Sequence, residues 1–290
     1  MNLEITGETM EANGYEIGPK ANLENAEIIN ENLFLANLAE AILRGADLNL
    51  SNLTGANLYL ADCSKADLSL TELEMANFGC ATLVETNLSD AGITSTNFSK
   101  ANLLKATFVN AFGENANLSA ANLSEAVFND CVLHACNFSG SDMKAVEGIS
   151  AGLRFNNFTG AVLTGSNFSK ANFAYSNLSD ADFDGCDFSG AILSGANFTR
   201  ARGQRSNLSG GDLTFAIFVE TNLDGTSFVN ADLSDANFCD ASLVGADLSG
   251  TNLEGANFCN ANLLNAIMTD VNIEGAIWSG ATMPDGTFYE

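Results

Sequence analysis

A large apolar residue recurs at every fifth position of the chain, in one unbroken phase from Leu23 to Met283. These slots are the residue numbers that end in 3 or 8, and a small residue, most often Ala, precedes each slot by two positions, except at Glu31 and Asn156. A period of five does not fit a helix, on which each step of five rotates by about 140°. It does not fit a flat strand either, on which each step changes the face. The chain can keep every fifth side chain inside only by turning a corner in each repeat.

Four such corners close a coil, so successive coils are predicted to lie about 20 residues apart. The slots support this period when they are sorted by residue number modulo 20. One of the four classes is rich in Phe and ends in Trp278, whereas two classes hold one Phe each, Phe173 and Phe183. The residue before the Phe-rich slot is usually Asn, and we expect these Asn side chains to stack as a ladder. About 13 coils at ~4.8 Å would form a rod of roughly 60 Å.

The units Gly-Ala-Asp-Leu, Gly-Ala-Asn-Leu and Asp-Ala-Asn-Phe resemble the pentapeptide-repeat family, whose unit is Ala-(Asp/Asn)-Leu-x-x. The resemblance covers residues 21–283 and implies an all-β fold, a right-handed quadrilateral parallel β-helix. The segment 280–286 is similar to the ends of cyanobacterial members. Residues 1–20 do not keep the period and are predicted to form an N-terminal cap, with a short strand at Leu3 and Ile5 and a turn at Gly18–Pro19. Residues 284–290 are predicted to be a C-terminal tail.

The composition is strongly acidic, with 36 Asp and Glu against 11 Lys and Arg and a net charge of −25. This charge repels phosphates and anionic lipids, so we expect direct binding neither to nucleic acid nor to a membrane. Asn or Asp interrupts every apolar stretch, and the first 20 residues lack the layout of a signal peptide. Seven Cys in a long chain favour reduced thiols. Together these features predict a cytoplasmic protein.

Few residues are candidates for chemistry. Cys131, His134 and Cys136 are spaced like metal ligands, but the repeat places both cysteines inside and the histidine outside. Cys239 and Cys259 follow slots one coil apart and are predicted to face outward, either as ordinary surface thiols or as a reactive pair. Carboxylate pairs are abundant, but a filled solenoid offers them no pocket. We therefore predict a protein that is not an enzyme and that holds no metal or cofactor.

Large apolar residues also occur at outward positions. One group near the start of the chain is predicted to be a docking surface, either for the N-terminal cap or for a second subunit: Phe34, Leu35, Leu50, Tyr59, Leu60, Leu70 and Met75. A second group shares one column: Phe155, Tyr175 and Phe215. The oligomeric state stays open between a monomer and a dimer formed end to end or through the cap.

Three slots hold glycine, namely Gly113, Gly148 and Gly203. Beside the first two, Phe112 and Ile149 are expected to swing into the gap and avoid a cavity. The third has no apolar neighbour and is predicted to form a bulge or dent. That dent would display a basic cluster of Arg200, Arg202 and Arg205.

The leading hypothesis is a non-enzymatic regulatory rod that presents an acidic face to a protein partner, one with a basic surface. After Arg205 the chain contains no Lys or Arg. Five acidic residues of this part fall around one slot class and are predicted to share a face: Asp212, Asp232, Asp235, Glu254 and Glu274. These five residues and the three arginines are the candidate partner-binding residues. The acidic face either recognises the partner or serves solubility alone.

The family resemblance implies an alternative function. Some members of the family mimic the size and charge of duplex DNA and bind DNA gyrase, which protects it from quinolones or toxins. A net charge of −25 has the right sign for such a mimic. The members that protect against quinolones tend to carry loops that project from the coils, and this chain has no insertion.

Overall fold

A computed structural model describes residues 10–290 as a four-sided parallel β-helix. Residues 21–280 make thirteen coils, and the central residue of each side pairs with the residue 20 positions later. Regular strands are short: β1 is Met10–Ala12, β2 is Tyr15–Ile17, β3 is Phe112–Glu114 and β4 is Val132–His134. Within residues 10–290 there is no helix. The predicted coil period of 20 is confirmed.

Each five-residue unit forms one side of a coil and one corner. In the first unit Leu23 is buried, and the Ala26 N–H donates a hydrogen bond of 3.0 Å to the Leu23 carbonyl across the corner. Asn25 stands at this corner with a φ of 57°, the left-handed value that a type II turn requires at its third residue. Positive φ recurs along the rod at residue numbers ending in 0 and 5. The repeat therefore keeps its slots inside by turning at the residue two positions after each slot.

Columns of identical residues hold neighbouring coils together. In the Phe-rich column the rings of Phe198 and Phe218 stack with centroids 4.8 Å apart, which equals the usual spacing between strands. Outside the core, the Asn77 amide donates to Asn57 Oδ1 at 3.2 Å, and equivalent bonds link the column from residue 37 to residue 157. The predicted Asn ladder is confirmed over these coils.

Both ends of the rod carry short antiparallel pairings. The β1–β2 hairpin lies on the first coil, where Ala12 and Ile17 are buried against the core. At the other end the residues predicted to be a tail fold back instead, and Phe288 pairs with Thr282 of the last side. The strand expected at Leu3 and Ile5 lies outside the described residues.

The prediction of a bulge at Gly203 is wrong. Its backbone is regular, and its N–H keeps a 2.9 Å hydrogen bond to the next coil. The ring of Phe183, one coil earlier, occupies the empty slot, and a Cβ at Gly203 would lie 2.7 Å from the ring Cδ2 and closer still to Cε2 and Cζ. The ring of Phe168 fills the slot of Gly148 in the same way, at 2.5 Å from a Cβ built there. Residues one coil away fill both gaps, so Ile149 stays at the surface.

Gly113 has a different role, and the expectation that Phe112 turns inward is also wrong. A Cβ at Gly113 would lie only 2.7 Å from the backbone nitrogen of Thr94 in the preceding coil. Its φ of 154° lies in a region that favours glycine. The close approach of two backbones therefore requires glycine here. Phe112 remains outside, on the surface of β3.

Candidate functional site

One side of the rod, face 3, consists of residues 31–35 and the equivalent five residues of every later coil, up to residues 271–275. It contains both β3 and β4. Side chains at the same point of successive coils form outward columns on this face. All five acidic residues predicted to share a face belong to it.

The five predicted carboxylates differ in their bonding. The half-buried Asp212 accepts hydrogen bonds from both the N–H and the hydroxyl of Thr214, at 3.1 and 2.8 Å, and Asp232 makes the equivalent contacts to Ser234. These two side chains help to shape their corners. The other three are exposed and bind no neighbouring side chain among the described residues: Asp235, Glu254 and Glu274. They are the carboxylates most available to a partner.

Face 3 is one of two sides of the rod whose carboxylates are unpaired in the described part of the chain. This face carries nine carboxylates and a single Lys or Arg, Arg154. Within residues 10–290 no carboxylate of face 3 joins an ion pair, and the same holds for the neighbouring side, residues 26–30 and their equivalents, which also carries nine carboxylates and one Lys. On the other two sides, ion pairs such as Lys20–Glu40 at 3.5 Å neutralise part of the acidic charge locally.

Apolar side chains form a ridge along face 3, partly at the middle of the side and partly at the corner that ends it. Six consecutive coils each expose one large apolar side chain there, between 40% and 64% accessible: Phe112, Val132, Phe155, Tyr175, Ile192 and Phe215. The rings of Phe155 and Tyr175 stack with centroids 5.5 Å apart. Single exposed apolar residues are ordinary, but one such side chain in each of six consecutive coils, over about 24 Å of the rod, is typical of an interaction surface. Phe112, Val132 and Ile192 were not identified from the sequence, because they lie three positions earlier in their units than the column of Phe155, Tyr175 and Phe215.

The apolar group near the start of the chain does not form one surface. Leu50 and Leu70 occupy equivalent corner positions one coil apart, whereas Tyr59 and Leu60 lie at the opposite corner and Leu35 belongs to face 3. The prediction of a single docking surface there is wrong. The described part of the cap covers the end of the core rather than these side chains.

The three arginines do not form an exposed, unpaired cluster. The Arg200 guanidinium donates to both carboxylate oxygens of Asp180 at 2.8 and 2.7 Å, and these bonds hold the pKa of Asp180 below its usual range. Arg202 donates to Asp184 at 2.7 Å. Together with Arg205 they lie on another side of the rod, away from face 3.

The cysteines occupy the positions that the repeat predicts. Cys131 and Cys136 are buried, and burial raises the pKa of the Cys136 thiol to about 11. Cys239 and Cys259 are half-buried in one column, and burial followed by the neighbouring thiol raises the pKa of Cys239. Across residues 10–290 no three His, Cys, Asp or Glu side chains are arranged to hold a metal ion.

Two shallow depressions lie on either side of Phe112 on face 3. The first, about 250 Å³, is lined by Thr54, Glu72, Glu74, Gly92, Thr94 and Phe112. The second, about 310 Å³, is lined by Thr94, Phe112, Gly113, Glu114, Val132 and His134. No pocket was predicted on the rod from its sequence, because the slots fill the core. The feature of the sequence that marks the first depression is glycine at position 92, where most coils carry Asn or Asp.

The chain belongs to the pentapeptide-repeat family. The family described as pentapeptide repeats matches residues 20–90, 114–146 and 153–280. The predicted right-handed quadrilateral β-helix is thereby confirmed as its fold. Two segments lie between the matched ones, residues 91–113, which contain Gly92 and Phe112, and residues 147–152.

Several solved structures are similar to the chain. One is HetL of the cyanobacterium Nostoc sp. strain PCC 7120, a pentapeptide repeat protein involved in heterocyst differentiation regulation. HetL is 29% identical to this chain, the match covers 93% of this chain and 92% of HetL, and the TM-score is 0.32. A thylakoid-lumen pentapeptide repeat protein of Arabidopsis thaliana is 34% identical over 35% of this chain and 70% of its own, at a TM-score of 0.33. QnrB1, a plasmid-mediated fluoroquinolone resistance protein, is 18% identical over 64% of this chain and 88% of its own, at 0.38.

No curated protein matches the chain. In the described part of the chain no helix is long and apolar enough to cross a membrane.

Proposed function

We propose that the protein is a non-enzymatic, cytoplasmic regulatory rod that binds a protein partner through face 3. One observation carries the proposal: face 3 combines the six-coil apolar ridge with nine carboxylates that join no ion pair among the described residues. Such a surface suits a partner that presents an apolar patch bordered by Lys and Arg. Membership of a repeat family whose fold builds long continuous faces is consistent with this role.

The charges are arranged to orient such a partner. Three glutamates precede or border the N-terminal part of the ridge, namely Glu72, Glu74 and Glu114. Of the five predicted acidic residues, one lies in the last coil of the ridge and four lie beyond its C-terminal end. Acidic groups on both sides of an apolar centre attract a basic partner and set its position along the rod. A second copy of this chain would place like charges opposite each other, so face-to-face pairing of two rods is disfavoured.

The paired arginines have no part in this proposal. Arg200 and Arg202 are already bonded to Asp180 and Asp184, and a partner would have to replace those bonds. We therefore assign partner recognition to the acidic candidates and the ridge.

The proposal is tested by affinity capture from the source cytoplasm at low and high salt, with three forms of the protein. The first is unchanged, and the second lacks three free carboxylates of face 3 through Asp235→Asn, Glu254→Gln and Glu274→Gln. The third is a matched control that loses the same charge elsewhere through Asp130→Asn, Glu147→Gln and Asp270→Asn. We expect the second form alone to lose the salt-sensitive partner. Equal capture by the second and third forms would show that the acidity of face 3 serves solubility only.

A DNA-mimic function, with gyrase as the partner, is the second candidate. The net charge of −25 and a rod of roughly 60 Å favour it. Duplex DNA, however, exposes phosphates all around its axis, whereas on this rod ion pairs neutralise part of the charge on two sides and the apolar ridge interrupts the charge of face 3. Gyrase supercoiling measured with and without the protein separates the two functions, and we expect no effect.

A further inference from the structure

We infer that the depression lined by Glu72, Glu74, Gly92 and Phe112 is the anchor site for an arginine side chain of the protein partner. The inference rests on the proposed function, because it names the group that the acidic, apolar face would receive. Three features of the depression support it: an accessible aromatic ring, carboxylates without counter-ions and a floor opened by glycine.

The aromatic ring belongs to Phe112. It bends back over Gly92, where a Cβ would lie 3.2 Å from the ring Cζ and 3.4 Å from Cε2. Asn or Asp at position 92, as in most other coils, would reach into the space that the ring borders. Since Phe112 is still 55% exposed, a planar group can lie against its free surface.

The chain itself contains the same kind of contact on the same face. The guanidinium carbon of Arg154 lies 5.1 Å from the centre of the Phe155 ring. An exposed ring of face 3 is therefore able to pair with a guanidinium group. Phe112 has no such partner among the described residues.

The walls of the depression supply the charge. Glu72 pairs with Gly92 through the backbone bridge, and Glu74 stands two residues further along the same unit. Both side chains are exposed, and in the described part of the chain neither joins an ion pair. By contrast, three glutamates at corners each face a lysine one coil away: Glu40, Glu85 and Glu125.

Arginine fits this combination better than lysine does. Its flat guanidinium stacks on a ring while its five N–H donors point outward in the plane. Here those donors would meet the two carboxylates and the hydroxyls of Thr54 and Thr94 on the rim. Lysine would satisfy the charge but would gain little from the ring.

The test uses the whole protein and small probes, so it needs no identified partner. N-acetyl-L-arginine amide is titrated at low salt while the backbone amide signals of Gly92 and Thr94 are followed by NMR. N-acetyl-L-citrulline amide, which has nearly the same shape without the charge, is the matched probe. The variants are Glu72→Gln with Glu74→Gln, and Phe112→Ala. The control removes two exposed carboxylates of another side, through Glu27→Gln and Glu147→Gln.

We expect arginine to cause saturable shifts at these two signals and citrulline to cause none. The double Glu variant should weaken binding at least fivefold, Phe112→Ala several-fold, and the control less than twofold. Equal shifts with citrulline, an equal loss in the control, or equal affinity for N-acetyl-L-lysine amide would overturn the inference. The capture experiment above leaves Glu72, Glu74 and Phe112 intact, so the proposed function can fail or hold independently of this result.

Discussion

Replacing Gly203 with Ala places a methyl group where the ring of Phe183 lies. The new Cβ would be 2.7 Å from Cδ2 and nearer to two other ring atoms, whereas carbon atoms normally approach to about 3.5–4.0 Å. The φ of Gly203 is not left-handed, so the backbone alone would accept Ala and gain ~0.4–1 kcal/mol. Overpacking of a core costs ~1–3 kcal/mol. We therefore expect a net loss of about 1–2 kcal/mol, because the ring cannot move away without disturbing the coils around it.

Equilibrium unfolding in urea measures this change, with Gly152→Ala as the control. A Cβ at Gly152 meets its nearest atom at an ordinary 3.4 Å, so that variant should be neutral or slightly more stable. In the double variant Phe183→Leu with Gly203→Ala, the smaller side chain makes room for the methyl. The two substitutions should then cost less together than the sum of their separate costs, by ~0.5–3 kcal/mol. A Gly203→Ala protein as stable as the original, or strictly additive costs, would refute the role assigned to the ring.

Three further predictions concern other parts of the rod. Arg200→Gln should return the carboxyl pKa of Asp180, followed by ¹³C NMR, to its usual value, because the bonds to Arg200 lower it. The ion pair stabilises the fold at neutral pH, and this stabilisation is lost as the pH falls through the lowered pKa. An unchanged titration of Asp180 in the variant would contradict the pairing. Asn97→Ala removes the ladder bonds to Asn77 and Asn117 and should lower the free energy of unfolding by about 1–2 kcal/mol. The control Ser99→Ala should change it little, and equal effects of the two substitutions would show that the ladder does not stabilise the fold. A thiol reagent should reach only the half-buried Cys80, Cys239 and Cys259 in the folded protein, with Cys239 slower because its own pKa is raised. The four inward thiols should stay unmodified because they are buried, and rapid reaction of all seven before unfolding would contradict the described core.

The fold could be predicted because the repeat never loses phase. Once every slot must point inward, residue numbers alone assign each side chain to a side, a column and a coil. The placement of Glu254 and Glu274 on one face and the Asn ladder follow from this arithmetic. Any shift that is not a multiple of five residues would turn the slots away from the core.

Side-chain directions were harder to predict, because the repeat determines where a side chain starts but not which way it bends. Phe183 bends into an empty slot, and the signal for this was present: it is the sole Phe of its column, beside the sole Gly. The ridge on face 3 was missed for a different reason. Its members alternate between two outward columns, so neither column alone shows a continuous apolar row. The ion pairs of Arg200 and Arg202 depend on rotamers of long side chains that no slot constrains.

The rings that fill glycine slots also bear on how a chain of similar repeats finds its correct stacking order. Nearly identical coils could form the same backbone hydrogen bonds with a wrong neighbour, for example after skipping one coil during folding. Phe183 matches only the coil that contains Gly203, and Phe168 only the coil that contains Gly148. If one coil were skipped, each ring would meet a slot that already holds a large side chain, and each glycine slot would stay empty. The misfolded rod would then be destabilised by overpacking at the rings and by a cavity at the glycines. These two pairs therefore act as local markers of coil identity and select one assembly among many that the repeated backbone alone would allow.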